Sequence, residues 1–340
     1  MGANLPAPIG YLRVTSPSFG FFLVYYMILI VILLPPKTKS RLLNKINSFL
    51  RSKRCVALAS AFTVFMFLLV LLLSRKRNME ILYFDVGQGS SALVRSSDGI
   101  CGLFDGGNGY TDVSSLLFKN GIGHLDFIAL SHGDLDHAGG LQKVLEEHSV
   151  DILLVPDNSD DSGTMETVRT AMKNGCQIIA VTRHCSIELS QELQMKIYFK
   201  RDLKSLNNSS LVIQLISTNG NVVFPGDLEL SGENQLRREG FPDKCDLLTI
   251  AHHGSDSGTG AAFLEKLQPE YAIISVGRNN RYGHPSEKVL DRLSEAGIET
   301  YRTDLHGAVR VTFCSRSLVD TWIGQRERIV EIKPWQNEMK

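Results

Sequence analysis

The run Leu125-Asp126-Phe127-Ile128-Ala129-Leu130 leads straight into Ser131-His132-Gly133-Asp134-Leu135-Asp136-His137-Ala138-Gly139-Gly140. The apolar half reads as a buried strand, and the glycine and polar residues after it mark a loop at the strand's end. Within that loop, two histidines and two aspartates occupy His132 to His137. A solvated loop has no need of so many imidazole and carboxylate donors at one strand end, whereas a divalent metal does.

The same arrangement returns downstream. A strand pattern at 222–224 runs into Pro225-Gly226-Asp227, one at 246–251 into His252-His253-Gly254-Ser255, and one at 271–276 towards Tyr282-Gly283-His284-Pro285. A helical pattern covers 229–239. Strand ends therefore deliver His and Asp in succession, as expected when a site is assembled on one rim of packed sheets. Standing alone, His252-His253 would read as an ordinary buried pair with backbone partners. The upstream motifs and the Gly-Ser that follows make it part of the site.

Elsewhere in the second two-thirds of the chain, short strand patterns alternate with helical ones. Strands are expected at 81–86, 92–95, 102–105, 151–155, 178–181, 195–199, 211–216 and 309–313, helices at 140–148, 165–174 and 286–296, and a turn at Asp105-Gly106-Gly107-Asn108-Gly109. Strands in two groups with interspersed helices suit a two-sheet core, although periodicity alone does not separate this from other α/β layerings. The domain is expected to span 79–315, with a weakly patterned tail at 316–340.

The first 78 residues differ in kind. The stretches 14–34 and 55–74 contain no charged residue and are rich in Phe, Ile, Leu and Val. About 20 apolar residues, at about 1.5 Å rise each, cross a bilayer core of about 30 Å. Two transmembrane helices are expected there, with a lipid bilayer as partner. A signal peptide is disfavoured for the first, because no small-residue cleavage pattern follows Leu34. Between the stretches lie Lys37, Lys39, Arg41, Lys45, Arg51, Lys53 and Arg54 without an acid, against only Arg75, Lys76 and Arg77 after the second. That bias keeps the basic loop in the cytoplasm and puts the large domain outside.

The zero net charge hides a split: residues 1–79 carry eleven Lys or Arg and no acid, so 80–340 hold 25 cations against 36 acids, a balance of −11. This argues against tight nonspecific binding of duplex DNA by the domain alone. Arg278, Arg281 and Arg302 lie near the histidine motifs, where a phosphate could be held. The six cysteines show no metal-ligand spacing and read mostly as buried apolar fillers, with at most one disulfide.

Six stretches occur in an order that narrows the reading: Phe84-Asp85-Val86-Gly87-Gln88-Gly89, His132 to Gly140, Gly226-Asp227 with Glu233, His252-His253-Gly254-Ser255, Tyr282-Gly283-His284-Pro285, and Tyr301-Arg302-Thr303-Asp304 with Gly307. The His-x-Asp-x-Asp-His pattern resembles the metal signature of the metallo-β-lactamase superfamily, in which a third His usually stands at the place of Asp134. Together the stretches resemble the C-terminal domain of ComEC, the DNA-uptake channel protein of competent bacteria, over about residues 79–313. Two departures stand out. Ser90 replaces an Asp common in the family, and Asn207-Asn208-Ser209-Ser210-Leu211-Val212 lies where the superfamily has a further metal His.

The resemblance implies an αββα sandwich, preceded here by the two transmembrane helices, with the site on one edge between the sheets. It implies two divalent ions, zinc or manganese. His132 and Asp134 would hold one, Asp136 and His137 the other, and Asp227 would bridge them. The sixth ligand is expected from His252 or His253, with His284 as a competitor; His252 is favoured, with His253 and His284 then polarising or phosphate-contacting groups and Asp136 also in a catalytic role. Ser255, Arg278 and Arg281 are the expected substrate contacts. Two ions about 3.5–4 Å apart suit in-line attack on a phosphodiester. The function so implied is a membrane-anchored nuclease outside the cytoplasmic membrane, with DNA, expected to be single-stranded, as its partner. Two spans cannot form a DNA channel, so other membrane segments are expected as partners. The chain then looks like the last part of a longer ComEC-like protein or one half of a split system. Two rival readings remain. One is a cell-surface phosphoesterase on a small substrate such as phosphorylcholine esters, which the acidic balance suits. The other is a non-catalytic, channel-associated binding module.

Overall fold

A computed structural model describes residues 78–158, 161–202, 204–313 and 318–321, with scattered positions between 24 and 66. Apolar residues on adjacent positions, rather than on alternate ones, decide how its strands are covered. In β4, His124–Ala129, Phe127 and Ala129 join one apolar cluster while Leu125 and Ile128 join another. A strand that is apolar on both faces must be covered on both, and that is the condition of an inner layer.

The strands before it are β1 (Met79–Tyr83), β2 (Ala92–Arg95) and β3 (Cys101–Phe104); after it come β5 (Ser149–Pro156), β6 (Gln177–Val181), β7 (Cys185–Glu188), β8 (Leu193–Tyr198), β9 (Val212–Ser217), β10 (Gly220–Phe224), β11 (Leu247–Thr249), β12 (Tyr271–Ile274), β13 (Glu299–Arg302), β14 (Val309–Phe313) and β15 (Leu318–Thr321). Among the described residues they form two sheets, ordered β15-β14-β1-β2-β3-β4-β5-β6 and β13-β12-β11-β10-β9-β8-β7. Each sheet joins an antiparallel part to a parallel run, β3 to β6 in the first and β10 to β13 in the second. The parallel runs need crossover helices. These are α1 (Val113–Lys119), α2 (Leu135–Ala138), α3 (Leu141–Glu147) and α4 (Ser162–Lys173) for the first sheet, and α5 (Leu230–Arg238), α6 (Ala261–Leu267) and α7 (Glu287–Glu295) for the second; a short α8 (Thr303–His306) follows β13.

The three apolar clusters are the three interfaces of a four-layer stack. Tyr83, Phe104, Phe127, Ile213, Phe224 and Phe313 fill the space between the sheets. Leu117, Leu141, Val144 and Ala171 seat helices on the first sheet, and Leu236, Phe263, Leu264 and Leu293 seat helices on the second. Phe104 and Phe224 stack across the inter-sheet space with ring centroids 4.1 Å apart and planes at 5°. Burying one such ring contributes about 2–3 kcal/mol, and the Tyr83 hydroxyl spans the same space to Thr249 Oγ1 at 2.9 Å. Gly102 makes room for this packing, because a Cβ there would overlap the Phe127 ring. The αββα sandwich implied by the motifs is therefore the observed fold.

The expected spans at 14–34 and 55–74, and the basic loop between them, lie mostly outside the described residues. Among the described residues no helix is long and apolar enough to cross a membrane. Strand β15 pairs with β14 antiparallel, Val311 opposite Val319, so the first sheet reaches into the stretch expected to be a tail. Four described cysteines, Cys101, Cys176, Cys185 and Cys245, are free thiols, and all but Cys185 are buried.

Candidate metal centre

The C-terminal ends of β3, β4, β10 and β11 each contribute to a single cluster. After β4 the chain passes through Ser131 and His132 into α2, which carries Asp136 and His137. After β10 the Pro225-Gly226 turn delivers Asp227. After β11 comes a tight turn in which His252 (φ 51°, ψ 44°) and His253 (φ 54°, ψ 22°) are both left-handed. Two consecutive non-glycine residues in that region cost about 1–3 kcal/mol each and persist only where the surroundings enforce them.

The enforcement is visible. The His253 Nδ1 donates to the Ser275 carbonyl at 2.8 Å, and His252 Nδ1 lies 3.1 Å from Ser257 Oγ. Behind them, the buried Glu233 accepts the backbone N–H groups of Thr259 and Gly260, and Arg292 donates to the carbonyls of Gly258 and Thr259. Glu233 was singled out in the sequence only as part of a motif; its place is under the loop that carries the two histidines.

Asp227 lies at the centre. Its Oδ1 is 3.1 Å from His137 Nε2, and its Oδ2 is 3.6 Å from His252 Nε2 and 3.8 Å from His132 Nε2. On one side His132 Nε2 also faces Asp134 Oδ2 at 3.6 Å; on the other, His253 Nε2 faces Asp136 Oδ2 at 3.1 Å. His132 and His252 thus approach one Asp227 oxygen and His137 the other, with Asp134 facing His132 and Asp136 facing His253; donor atoms of His132, His137 and Asp227 lie mutually within 4.8 Å, and so do those of Asp136, His137 and His253. His253 belongs to the second of these sets, so both histidines between which the sequence left the sixth ligand turn towards the cluster. The inverted turn explains this: adjacent residues in left-handed conformation point both rings into the rim instead of to opposite sides.

All four imidazoles share one orientation. Nδ1 of His132 lies 3.0 Å from Ser131 Oγ and that of His137 2.7 Å from Asp105 Oδ2, while those of His252 and His253 have the partners given above. Each Nδ1 is thus fixed from outside and each Nε2 faces the centre, the arrangement by which proteins orient metal-binding histidines. Asp105 was read in the sequence as part of a turn. It sits at the end of β3 and also receives the Ser131 N–H at 2.7 Å and the Ser131 hydroxyl at 2.9 Å, so it orients the metal loop as well as His137.

Two tests of fit to divalent metal come from the atoms themselves. Nε2 of His132, Nε2 of His137 and Oδ1 of Asp227 are buried without a hydrogen-bond partner; the 3.1 Å approach of the last two lacks hydrogen-bond geometry. Leaving such groups unpaired in a fold is costly, and cations bound at the cluster would satisfy them. Charge gives the same answer. Burial would raise the Asp227 carboxyl, but the imidazoles of His137, His253 and His132 hold it well below the usual carboxylate range. Burial would lower His137, but Asp227 and Asp105 push it well above an ordinary imidazole. Asp136 is brought down to about 2 despite its burial, chiefly by His253. Metal-free, the cluster holds protons where metal would replace them.

The remaining expected residues stand around this cluster. The His284 ring is 5.8 Å from that of His252, its Nδ1 buried and unpartnered, and burial and then the neighbouring His252 and His253 push it below the usual imidazole range. Ser255 Oγ lies 3.0 Å from Ser257 Oγ, beside the His252 partner. Arg278 donates to the Asp304 carbonyl, Arg281 lies over the Tyr282 ring, and Arg302 makes a two-pronged pair with Asp304 at 3.0 and 2.7 Å. The Phe84 to Gly89 stretch supports the metal loop from below: Ser90 N–H donates to the Asp136 carbonyl at 3.0 Å, and a Cβ on Gly89 would come within 2.5 Å of that oxygen.

A family model of the metallo-beta-lactamase superfamily matches residues 84–175. ComE operon protein 3 of Bacillus subtilis (strain 168) is 37% identical over 204 residues, 59% of this chain and 26% of that protein. Competence protein ComA of Neisseria gonorrhoeae is 32% identical over 235 residues, 67% of this chain and 31% of that protein. The matched region is thus about a quarter to a third of these relatives' length. Among solved structures, Igni18, a metallo hydrolase of Ignicoccus hospitalis, aligns at 15% identity with a TM-score of 0.48, over 69% of this chain and 100% of the other.

Proposed function

We propose, taking the chain as a ComEC-type protein by its relatives and a metallo-β-lactamase-superfamily hydrolase by its fold, that it is a two-metal phosphodiesterase that cuts single-stranded DNA during uptake. The observation that carries the hydrolytic part is Asp227, whose Oδ1 faces His137 and whose Oδ2 faces His132 and His252. His132, Asp134 and His252 would hold one ion, Asp136, His137 and His253 the other, with Asp227 between them. Bound there, two ions activate water and offset charge on the attacking and leaving oxygens of an in-line displacement.

The chain's own groups supply the rest. Asp105 and Ser275 hold His137 and His253 in the tautomer that keeps Nε2 available as a donor pair. His284, held neutral, presents an imidazole beside His252 that can hydrogen-bond a phosphoryl oxygen. Ser255, Arg278 and Arg281 lie on the flanking loops, where a strand would lie. The uncharged stretches 14–34 and 55–74 would anchor the domain to a bilayer, with the basic loop between them in the cytoplasm and the metal centre outside. Further membrane segments would be needed for passage of the strand.

The test is hydrolysis of labelled single-stranded DNA by the full chain with manganese or zinc, beside an Asp136→Ala variant. Cleavage by the wild type and not by the variant is expected. The −11 balance of residues 80–340 favours one second reading, an esterase of small substrates such as phosphorylcholine esters. Turnover of those esters with an intact DNA strand would replace the first reading with this one. A chain that binds no metal would leave only the non-catalytic module.

A further inference from the structure

On the far side of Ser210 from the metal cluster lies a pocket of about 420 Å³ whose chemistry the cluster does not explain. Ser210 is the partition: its Oγ is 3.5 Å from His132 Nδ1 and accepts the Asp227 N–H at 3.2 Å. The pocket wall carries Lys200, Arg201 and Lys204, all exposed, together with Ser231 and Gly232 from the first turn of α5. A helix of nine residues presents amides and partial positive charge at that end. In a domain with an overall excess of acid, three cations and a helix amino end converge one side chain from the metal centre.

The acids nearby are hydrogen-bonded, and one of them pairs with a cation of the wall. Asp202, also on the wall, accepts the Lys204 backbone N–H at 2.8 Å. Glu229 accepts from Ser205, Asn207 and Asn208, and Glu239 accepts from His184 at 2.7 Å and from Lys200 at 3.4 Å. Asn208 donates to Ser231 Oγ at 2.9 Å and fixes the wall. Another pocket, of about 430 Å³, is lined by Asp134, Asp161 and Glu166, and reaches Leu206. The charged lining of the first pocket is mainly basic and that of the second acidic.

We propose that the Lys200–Arg201–Lys204 pocket holds a phosphate of the nucleic-acid strand next to the phosphodiester being cut. This rests on the phosphodiesterase reading and narrows it: the substrate is a strand long enough to place a second phosphate past Ser210.

The experiment uses the full chain and a variant combining Lys200→Gln, Arg201→Gln and Lys204→Gln. Binding of a fluorescent single-stranded oligonucleotide is measured by anisotropy in EDTA, apart from any hydrolysis. The Gln variant should bind about tenfold more weakly. Its log Kd should depend less steeply on log salt, by about 2 for three lost contacts at about 0.7 each. With manganese, the kcat/KM ratio of the strand to bis(p-nitrophenyl) phosphate should fall about tenfold. A charge-keeping variant, Lys200→Arg with Lys204→Arg, should bind as the wild type does, which separates lost charge from lost folding. Equal affinity and equal salt dependence in wild type and Gln variant would overturn the pocket, even if the strand is cut. Strand binding that needs the three cations, without cleavage under any metal, would keep the pocket and overturn the phosphodiesterase reading.

Discussion

Asp105 Oδ2 and His137 Nδ1 lie 2.7 Å apart, both side chains buried, at the ends of different secondary elements that meet under the metal loop. The contact fixes the His137 ring so that Nε2 faces Asp227, and the same carboxylate holds Ser131. Changing Asp105 therefore tests whether the cluster is held as a metal site from behind. Asp105→Asn keeps the shape but weakens the hold on His137. Metal affinity should fall by about 10- to 100-fold, read by competition with a chelating dye, with far-UV circular dichroism unchanged. Undiminished affinity would remove Asp105 from the site's support.

The proposed division of donors between two ions predicts how much metal each variant retains. His253→Ala and His252→Ala each remove one inward Nε2 from a different group, so each should lower bound metal from two ions per chain towards one. His284→Ala should keep both ions, because its ring stands beside His252 outside the donor groups. Metal content by mass spectrometry after gel filtration decides this. Loss of an ion from the His284 variant would contradict the assignment.

Glu233 gives a pH dependence with a definite sign. Its carboxyl is raised to about 7 by burial, against the two backbone N–H groups and Arg292, which favour the ionised form. A carboxyl with a raised folded pKa contributes stability that is full below its unfolded pKa of about 4.3 and is lost as pH rises through the folded value. Wild-type stability should therefore decline between pH 5 and pH 7, by about 2 kcal/mol from this group. Glu233→Gln cannot ionise, so its stability relative to wild type should rise by that amount over the same interval. Urea midpoints of both metal-free proteins at each pH test the difference; a constant gap would assign Glu233 no such role.

Gly89 should tolerate no side chain. With φ at 144° and the Asp136 carbonyl 2.5 Å from where a Cβ would stand, Gly89→Ala must move the backbone that carries Asp136. Activity and metal affinity should fall together, by at least about tenfold for a displacement near 1 Å, while the thermal midpoint drops only by the strain of one residue. Full activity in this variant would mean that the Phe84 to Gly89 stretch does not position the metal loop.

Much of this site was legible because its motifs are local. His132, Asp134, Asp136 and His137 lie within six positions, so short-range geometry alone brings them together. Asp105 was not legible, since an acid before Gly-Gly reads as a turn and its link to His137 crosses 32 residues. The choice between His252 and His253 depended on backbone inversion at both residues, which no periodicity reports. In the fold, the buried two-faced strands β4, β5 and β12 carry apolar runs and were readable. Strand β7, with Cys185, Ser186 and Glu188 exposed, and the edge strand β13, Glu299-Thr300-Tyr301-Arg302, bury too little to show a pattern. Helix α1 was missed because its seven residues are preceded by turn-like Gly and Asn.

The most direct test is a metal titration of the metal-free full chain against a labelled single strand. Cleavage should be negligible through the first equivalent of manganese, rise with the second, and be absent in Asp227→Ala, which removes the carboxylate between the two groups. Cleavage that needs no metal, or an intact strand with two ions bound, would contradict the account.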